Sequence, residues 1–376
     1  MTQIFVPKET ENLEKRVAAT PETVKKLVSI GYSVAVEKGA GDASFISDTA
    51  YEAAGAQLLD AKAGYASADM VLKVAPPDDD ETELLKEGSI LVTHLVPSNS
   101  VSVLRKLVAR KVSCFSMNLI PRITIAQKMD SLSSQASIAG YKAVLMGANQ
   151  LAKYFPLLMT AAGTITPAKV VILGAGVAGL QAIATARRLG ATVEVSDVRV
   201  AVKEQVESLG GRFIMVDSDE DMEDAGGYAK EQSEEFLKRQ REEVGKRIAA
   251  ADVVITTALI PGRPAPMLIP ADIVERMHPG SVIIDLAVQQ GGNCELSEPG
   301  KTVVKHGVTI IGELNVPATM QIHASQLYAR NILALITHMT TKGNFNIDEK
   351  EPVTAGALLT HQGICRHEPS QALLKS

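Results

Sequence analysis

The sequence predicts an α/β protein of two domains, each a parallel sheet covered by helices, and three observations carry that expectation. Short apolar and β-branched runs alternate with helix-period segments along most of the chain, the pattern of parallel strands joined by crossover helices. One of those strands runs into glycines spaced G-x-G-x-x-G and then into a helix. The chain has 376 residues, 46% of them hydrophobic. A single core stops growing at roughly 250–300 residues, so two cores are expected.

In the first 120 residues strands are predicted over 3–6, 33–37, 70–74, 90–95 and 112–116. A helix is predicted over 21–30, with Thr20 as N-cap, Pro21 at the first helical position and Gly31 at its end. Then comes a polar interruption, PRITIAQKMDSLSSQ, from Pro121 to Gln135. Ile138, Tyr141, Val144, Leu145, Ala148 and Leu151 follow at three- and four-residue steps and mark a long helix over about 133–154.

From Lys169 the sequence reads KVVILGAGVAGLQAIATARRLGATVEVSDVR. A strand at Val170 to Leu173 leads through the segment Gly174, Ala175, Gly176, Val177, Ala178, Gly179 into an Ala- and Leu-rich helix that ends at Gly190. A second strand, Thr192 to Ser196, delivers Asp197, followed by Val198 and Arg199. Gly174 permits the tight turn, Gly176 lets backbone amides approach a pyrophosphate, and Gly179 lets helix and strand pack closely. Asp197 lies near the spacing expected of the acid that accepts hydrogen bonds from the adenosine ribose, which favours NAD(H) over NADP(H). Arg199 weakens that discrimination, since an arginine here can serve a 2′-phosphate.

Further strands are predicted at 212–216, 252–256, 281–285 and 308–311, and a second long helix at 322–341. The result is two Rossmann-like domains with parallel sheets, separated by a cleft and linked by two long helices. The first comprises residues 1–134 with 320–376, the second 135–319. Between the strands at 212 and 252 an acidic and then mixed-charge run reads as a solvated helix and loop. Gly226 and Gly227 before Tyr228 also suit a loop that closes over a ligand. The tail HQGICRH places His361, Cys365 and His367 close together, but lacks a fourth metal ligand and is expected to be poorly ordered.

Charge and cysteine usage exclude several classes. The formal net charge is −5 with no basic block, which argues against nucleic acid. Three scattered cysteines make neither a disulfide framework nor a zinc pattern and fit a reducing, cytoplasmic compartment. The N-terminus has no signal-peptide core, and no window reaches the roughly 20 apolar residues of a membrane span, so no direct membrane insertion is expected.

The segments EKRVAATPETV, PRITIAQKMDSLSSQ, GAGVAGLQA, VKEQV, GGYAKE, TTALIPGRPAP, DLAVQQGGNCE and SQLYARNI together resemble the NAD(H)-binding component, domain I, of the proton-translocating NAD(P) transhydrogenases, relatives of alanine dehydrogenase. The resemblance covers about residues 4–339. It implies that NAD(H) is bound here and NADP(H) by a partner subunit, with direct hydride transfer between nicotinamides coupled to proton movement. It implies a homodimer docked on a membrane alpha-2 subunit and an NADP(H)-binding beta subunit, peripheral to the cytoplasmic face of the bacterial inner membrane. By that resemblance Arg122 holds the NADH pyrophosphate or carboxamide region, Gln127 bridges to the partner's nucleotide, and Asp130 and Ser133 fix the carboxamide. Tyr228, Ala258 and Leu259 join the cofactor contacts on the same basis.

For Asp130 and Ser133 simple helix capping stays open beside ligand binding. Alanine dehydrogenase is the chief alternative. Arg16 and Lys73 match positions where that family holds a keto acid, but Val96 and Gln289 stand where it carries a histidine and an aspartate. His94 reads as a structural histidine. A non-catalytic NAD(H) sensor would need only the glycine turn and Asp197.

Overall fold

The computed structural model describes residues 1–215, 234–259 and 264–375. They divide into two compact units, Met1–Gln135 with Pro317–Ser376, and Ala136–Val316. In the first, strands β1 (Gln3–Val6), β2 (Ser33–Glu37), β3 (Gln57–Leu59), β4 (Met70–Leu72), β5 (Ile90–Thr93) and β6 (Ser113–Ser116) alternate with helices α1 (Pro21–Ser29), α2 (Asp48–Ala53), α3 (Ala61–Ser67), α4 (Asp79–Leu84) and α5 (Val101–Ala109). All six strands are parallel and lie in the order β3-β2-β1-β4-β5-β6. This is the doubly wound order, and its direction reverses between β1 and β4. Ile4, Phe5, Val6, Met70, Val71 and Leu72 are all buried, as central strands covered on both faces require. Thr20 opens α1, its amide donating to Thr23 Oγ1 at 2.9 Å.

Helix α6 (Ser131–Gln150) starts two residues before the expected position and ends earlier, because the Asp130 carboxylate supplies its cap. In the second unit a hairpin of β7 (Leu158–Thr160) and β8 (Gly163–Ile165) pairs only with itself. There follow β9 (Lys169–Leu173), α7 (Val177–Arg188), β10 (Thr192–Ser196), α8 (Lys203–Ser208), β11 (Arg212–Phe213), α9 (Glu234–Ala249), β12 (Val253–Thr256), α10 (Ala271–Glu275), β13 (Val282–Asp285), β14 (Thr302–Lys305) and β15 (Val308–Ile311). The sheet order is β11-β10-β9-β12-β13-β15-β14, parallel except for β14, an antiparallel edge strand absent from the sequence expectation. Here the direction reverses between β9 and β12. Helix α6 lies close on this unit: a Cβ at Gly140 would fall 2.0 Å from the Ala178 carbonyl oxygen.

The chain re-enters the first unit through α11 (Gln321–Met339), whose Tyr328, Ile332, Leu335 and Ile336 are buried in one core with Ile4, Val6 and Leu72. After a short ribbon of β16 (Thr340–Thr341) and β17 (Asn344–Phe345), helix α12 (Pro352–Ala357) leads into β18 (Leu358–His361), β19 (Ile364–Cys365) and α13 (Glu368–Lys375). The tail, expected to be poorly ordered, instead extends the first sheet. β18 pairs antiparallel with β6 and with β19. Leu358, Leu359 and Thr360 are buried, and Gln362 and Gly363 both take the positive φ of a tight two-residue hairpin turn. An otherwise open edge at β6 is thereby covered.

Candidate functional site

The carboxyl ends of strands on either side of a reversal in strand order part from each other, and there an open α/β sheet leaves room for a ligand. In the second unit that point is occupied by the glycine turn after β9 and the loop after β12. Gly174 sits at φ +107°, and a Cβ there would come 2.5 Å from Thr257 Oγ1. A Cβ at Gly179 would lie 1.9 Å from the Gly174 carbonyl oxygen, so helix and turn touch backbone to backbone. A Cβ at Gly176 meets nothing within 4 Å. Gly176 is the N-cap of α7, with Ala175 buried before it and Val177 exposed after it. The first amides of a helix have no intrahelical acceptor, so this end offers N–H groups to an anion such as a pyrophosphate.

At the end of β10 the Asp197 carboxylate accepts from the Ala175 amide at 2.7 Å and from the Arg199 amide at 2.8 Å. The Arg199 guanidinium also grips it, Nε to Oδ1 and Nη2 to Oδ2, both at 3.0 Å. Burial pushes this carboxyl up, but the Arg199 side chain and the two amides outweigh it and bring it below its ordinary value. Val198 between them is exposed. The acid therefore rests against the glycine turn, where a dinucleotide's adenosine ribose would be read.

The loop after β12 is bonded on both sides. Thr257 Oγ1 lies 3.2 Å from the carbonyl oxygens of both Leu173 and Gly174. Ala258 gives its amide to Asn293 Oδ1 at 3.1 Å and takes Asn293 Nδ2 on its carbonyl at 2.9 Å, while the same Nδ2 also reaches the Pro266 carbonyl. Leu259 is exposed. Behind Asn293, the buried Asp285 carboxylate accepts from the amides of Ala287, Asn293 and Cys294 and from the hydroxyls of Thr256 and Ser297. Asp285 and Asn293 do not stand out in the sequence. Their signal is the QQGGN turn directly after a buried strand that ends in an acid. Tyr228, with Gly226 and Gly227, lies outside the described residues.

In the first unit the polar stretch follows β6. Residues Thr124–Met129 form a 3₁₀ turn that leaves Arg122 and Gln127 exposed. Asp130 caps α6, its Oδ1 accepting the Ser133 amide at 2.9 Å and its Oδ2 the Ser133 hydroxyl at 2.5 Å. Ser134 and Gln135 face inward, Ser134 to Asn331 and Gln135 to Arg16 and the Ala324 carbonyl. One face of the segment is thus anchored and the other, with Arg122 and Gln127, is open.

This unit's own reversal point, between β1 and β4, is already filled. Lys73, 1% exposed, pairs with Glu81 at 2.7 Å and Glu9 at 3.2 Å, and Arg16 grips Glu14 through Nε and Nη2. Burial pushes Glu9 up to about 7 against the pull of Lys73. His94 touches Ser131 Oγ at 2.7 Å and the Tyr328 ring, and burial, aided by the Arg16 charge, brings it down to about 3. Both cations that an acid substrate could use are held by carboxylates of the same chain. Among the described residues no group of histidine, cysteine and acidic side chains is arranged to hold a metal ion.

Residues 5–139 match the family described as Alanine dehydrogenase/PNT, N-terminal domain, and residues 143–368 its C-terminal domain. The chain belongs to the alanine dehydrogenase/transhydrogenase family. Within that family it is 52% identical to an NAD(P) transhydrogenase alpha subunit of Rhodospirillum rubrum, the first portion of an alpha subunit made in pieces, over 97% of this chain and 98% of that one. It superposes on the crystal structure of a transhydrogenase from Sinorhizobium meliloti with a TM-score of 0.89 at 43% identity, covering 96% of this chain and 99% of the other. An L-alanine dehydrogenase structure follows at a TM-score of 0.83 and 29% identity, covering 100% and 99%. No helix among the described residues is long and apolar enough to cross a membrane.

Proposed function

We propose that this chain is the NAD(H)-binding subunit of a proton-translocating NAD(P) transhydrogenase and passes hydride directly between its own nucleotide and NADP(H) held by a partner. The observation that carries this reading over its alanine-oxidising relatives is the closed reversal point of the first unit. Amino-acid oxidation needs a free cation for the carboxylate and a proton acceptor near neutrality. Here Arg16 and Lys73 are paired, and His94 titrates far below neutral.

Bound dihydronicotinamide supplies a hydride, two electrons and one proton together, so transfer to a second nicotinamide balances with no proton released. The protein's task is then positioning, with water excluded, and requires no general acid. The first turn of α7 would hold the pyrophosphate, Asp197 the ribose, and the loop at Ala258 and Leu259 would flank the cofactor with Val198, Arg199 and Tyr228. Asp130 and Ser133 would fix the carboxamide from the capped start of α6, Arg122 would reach the pyrophosphate or carboxamide region, and exposed Gln127 would bridge to the partner's nucleotide. A homodimer, associated with a membrane alpha-2 subunit and an NADP(H)-binding beta subunit at the cytoplasmic face of the inner membrane, completes the proposal.

The test mixes purified protein with an NADP(H)-binding transhydrogenase component and follows reduction of an NADP+ analogue by NADH. Transfer only in the mixture, with no alanine oxidation by the protein alone, is the expected result. Steady alanine turnover would transfer the assignment to the dehydrogenase branch.

A further inference from the structure

The Asp197 carboxylate has no capacity left for a ligand. A carboxylate offers about four acceptor positions. Two are taken by backbone amides, of Ala175 and Arg199, and two by the Arg199 guanidinium. The backbone donors are fixed by the glycine turn. The guanidinium is not fixed in that way: its side chain is 57% exposed, against 7% for Asp197.

A guanidinium fork and a vicinal ribose diol make the same demand, two donors directed at the two oxygens of one carboxylate. Resting on the NAD(H) reading above, we propose that Arg199 is a specificity-determining residue that occupies the diol's place on Asp197 and has to be displaced before the adenosine ribose is accepted. Each binding event then exchanges one charge-assisted pair for the ribose contacts, which lowers affinity for NADH and hastens its release. The displaced cation stays tethered beside the ribose. There it offsets the repulsion that Asp197 exerts on a 2′-phosphate.

Removing the guanidinium therefore moves the two nucleotides in opposite directions, which a general loss of structure does not do. In Arg199→Gln, calorimetric titration is expected to show NADH binding roughly twofold to fivefold tighter, the scale of an exposed ion pair, and NADPH binding weaker than in the wild type. Arg199→Lys, which keeps the charge without the fork, falls between them for NADH. NADH binding that is unchanged or weaker in Arg199→Gln overturns the inference and leaves the NAD(H) site standing. A wild-type chain that binds neither nucleotide overturns both.

Discussion

At the scale of single residues, two glycines of the same turn separate folding from binding. Gly179 has no room for a methyl group, since its Cβ would lie 1.9 Å from a backbone oxygen that cannot step aside. Gly176 has open space and an ordinary extended conformation, φ −77° and ψ −170°. Gly179→Ala should destabilise the second unit by about 1–3 kcal/mol as an overpacked contact. Gly176→Ala should leave stability within about 0.5 kcal/mol of wild type while weakening NADH binding about tenfold, roughly 1.4 kcal/mol. Thermal melting beside a binding titration reads both effects. Equal loss of stability in the two variants would mean that Gly176 is structural and that its open side faces no ligand.

At the scale of elements, the loops after β9, β12 and β13 are bonded to one another through Thr257, Asn293 and Asp285, so the rim of the second sheet is held as one piece. Asp285→Asn is the sharpest probe. An amide nitrogen placed at Oδ2 would face the Asn293 and Cys294 amides and the Ser297 hydroxyl, all donors. Stranding buried donors costs about 1–3 kcal/mol each, so the second unit's melting transition should fall by several degrees. NADH affinity should fall with it, because the Ala258 loop loses its support. An unchanged melting profile would mean that the node does not hold the rim. This rim also marks how far the sequence can be read. The strand, glycine turn, helix and following acid were legible because each is a local pattern of period, spacing and turn chemistry. Asp285 and Asn293 were not, since their meaning lies in donors brought in from other loops by the fold. The same holds for β3, β14, β18 and β19. These are short edge or near-edge strands whose stability comes from pairing with a neighbour rather than from their own composition. The polar stretch divides likewise: its helix cap was foreseeable from residue type, whereas the inward turn of Gln135 onto Arg16 needed the fold.

At the scale of the whole molecule, the hairpin of β7 and β8 stands outside both main sheets and carries its apolar side chains in the open. Met159 is 80% exposed, Tyr154 58%, Leu157 54% and Ile165 40%, and the two strands bond only to each other. A two-stranded hairpin is marginal in water by itself, and a run of exposed apolar side chains on one is the mark of a surface that another molecule covers. A second copy of this chain is the simplest occupant, because a self-complementary contact about a two-fold axis buries both hairpins with one set of residues. Placing charges there, as Met159→Asp with Ile165→Asp, would set like charges against each other across such an axis. Sedimentation velocity should then show monomers at concentrations where the wild type is a dimer. NADH binding should stay within about twofold, under roughly 0.5 kcal/mol, because neither residue belongs to the glycine turn or the loops it is bonded to. A wild type that sediments as a monomer, or a doubly charged variant that remains dimeric, would remove the hairpin from the interface and leave its exposed side chains for a different subunit to cover.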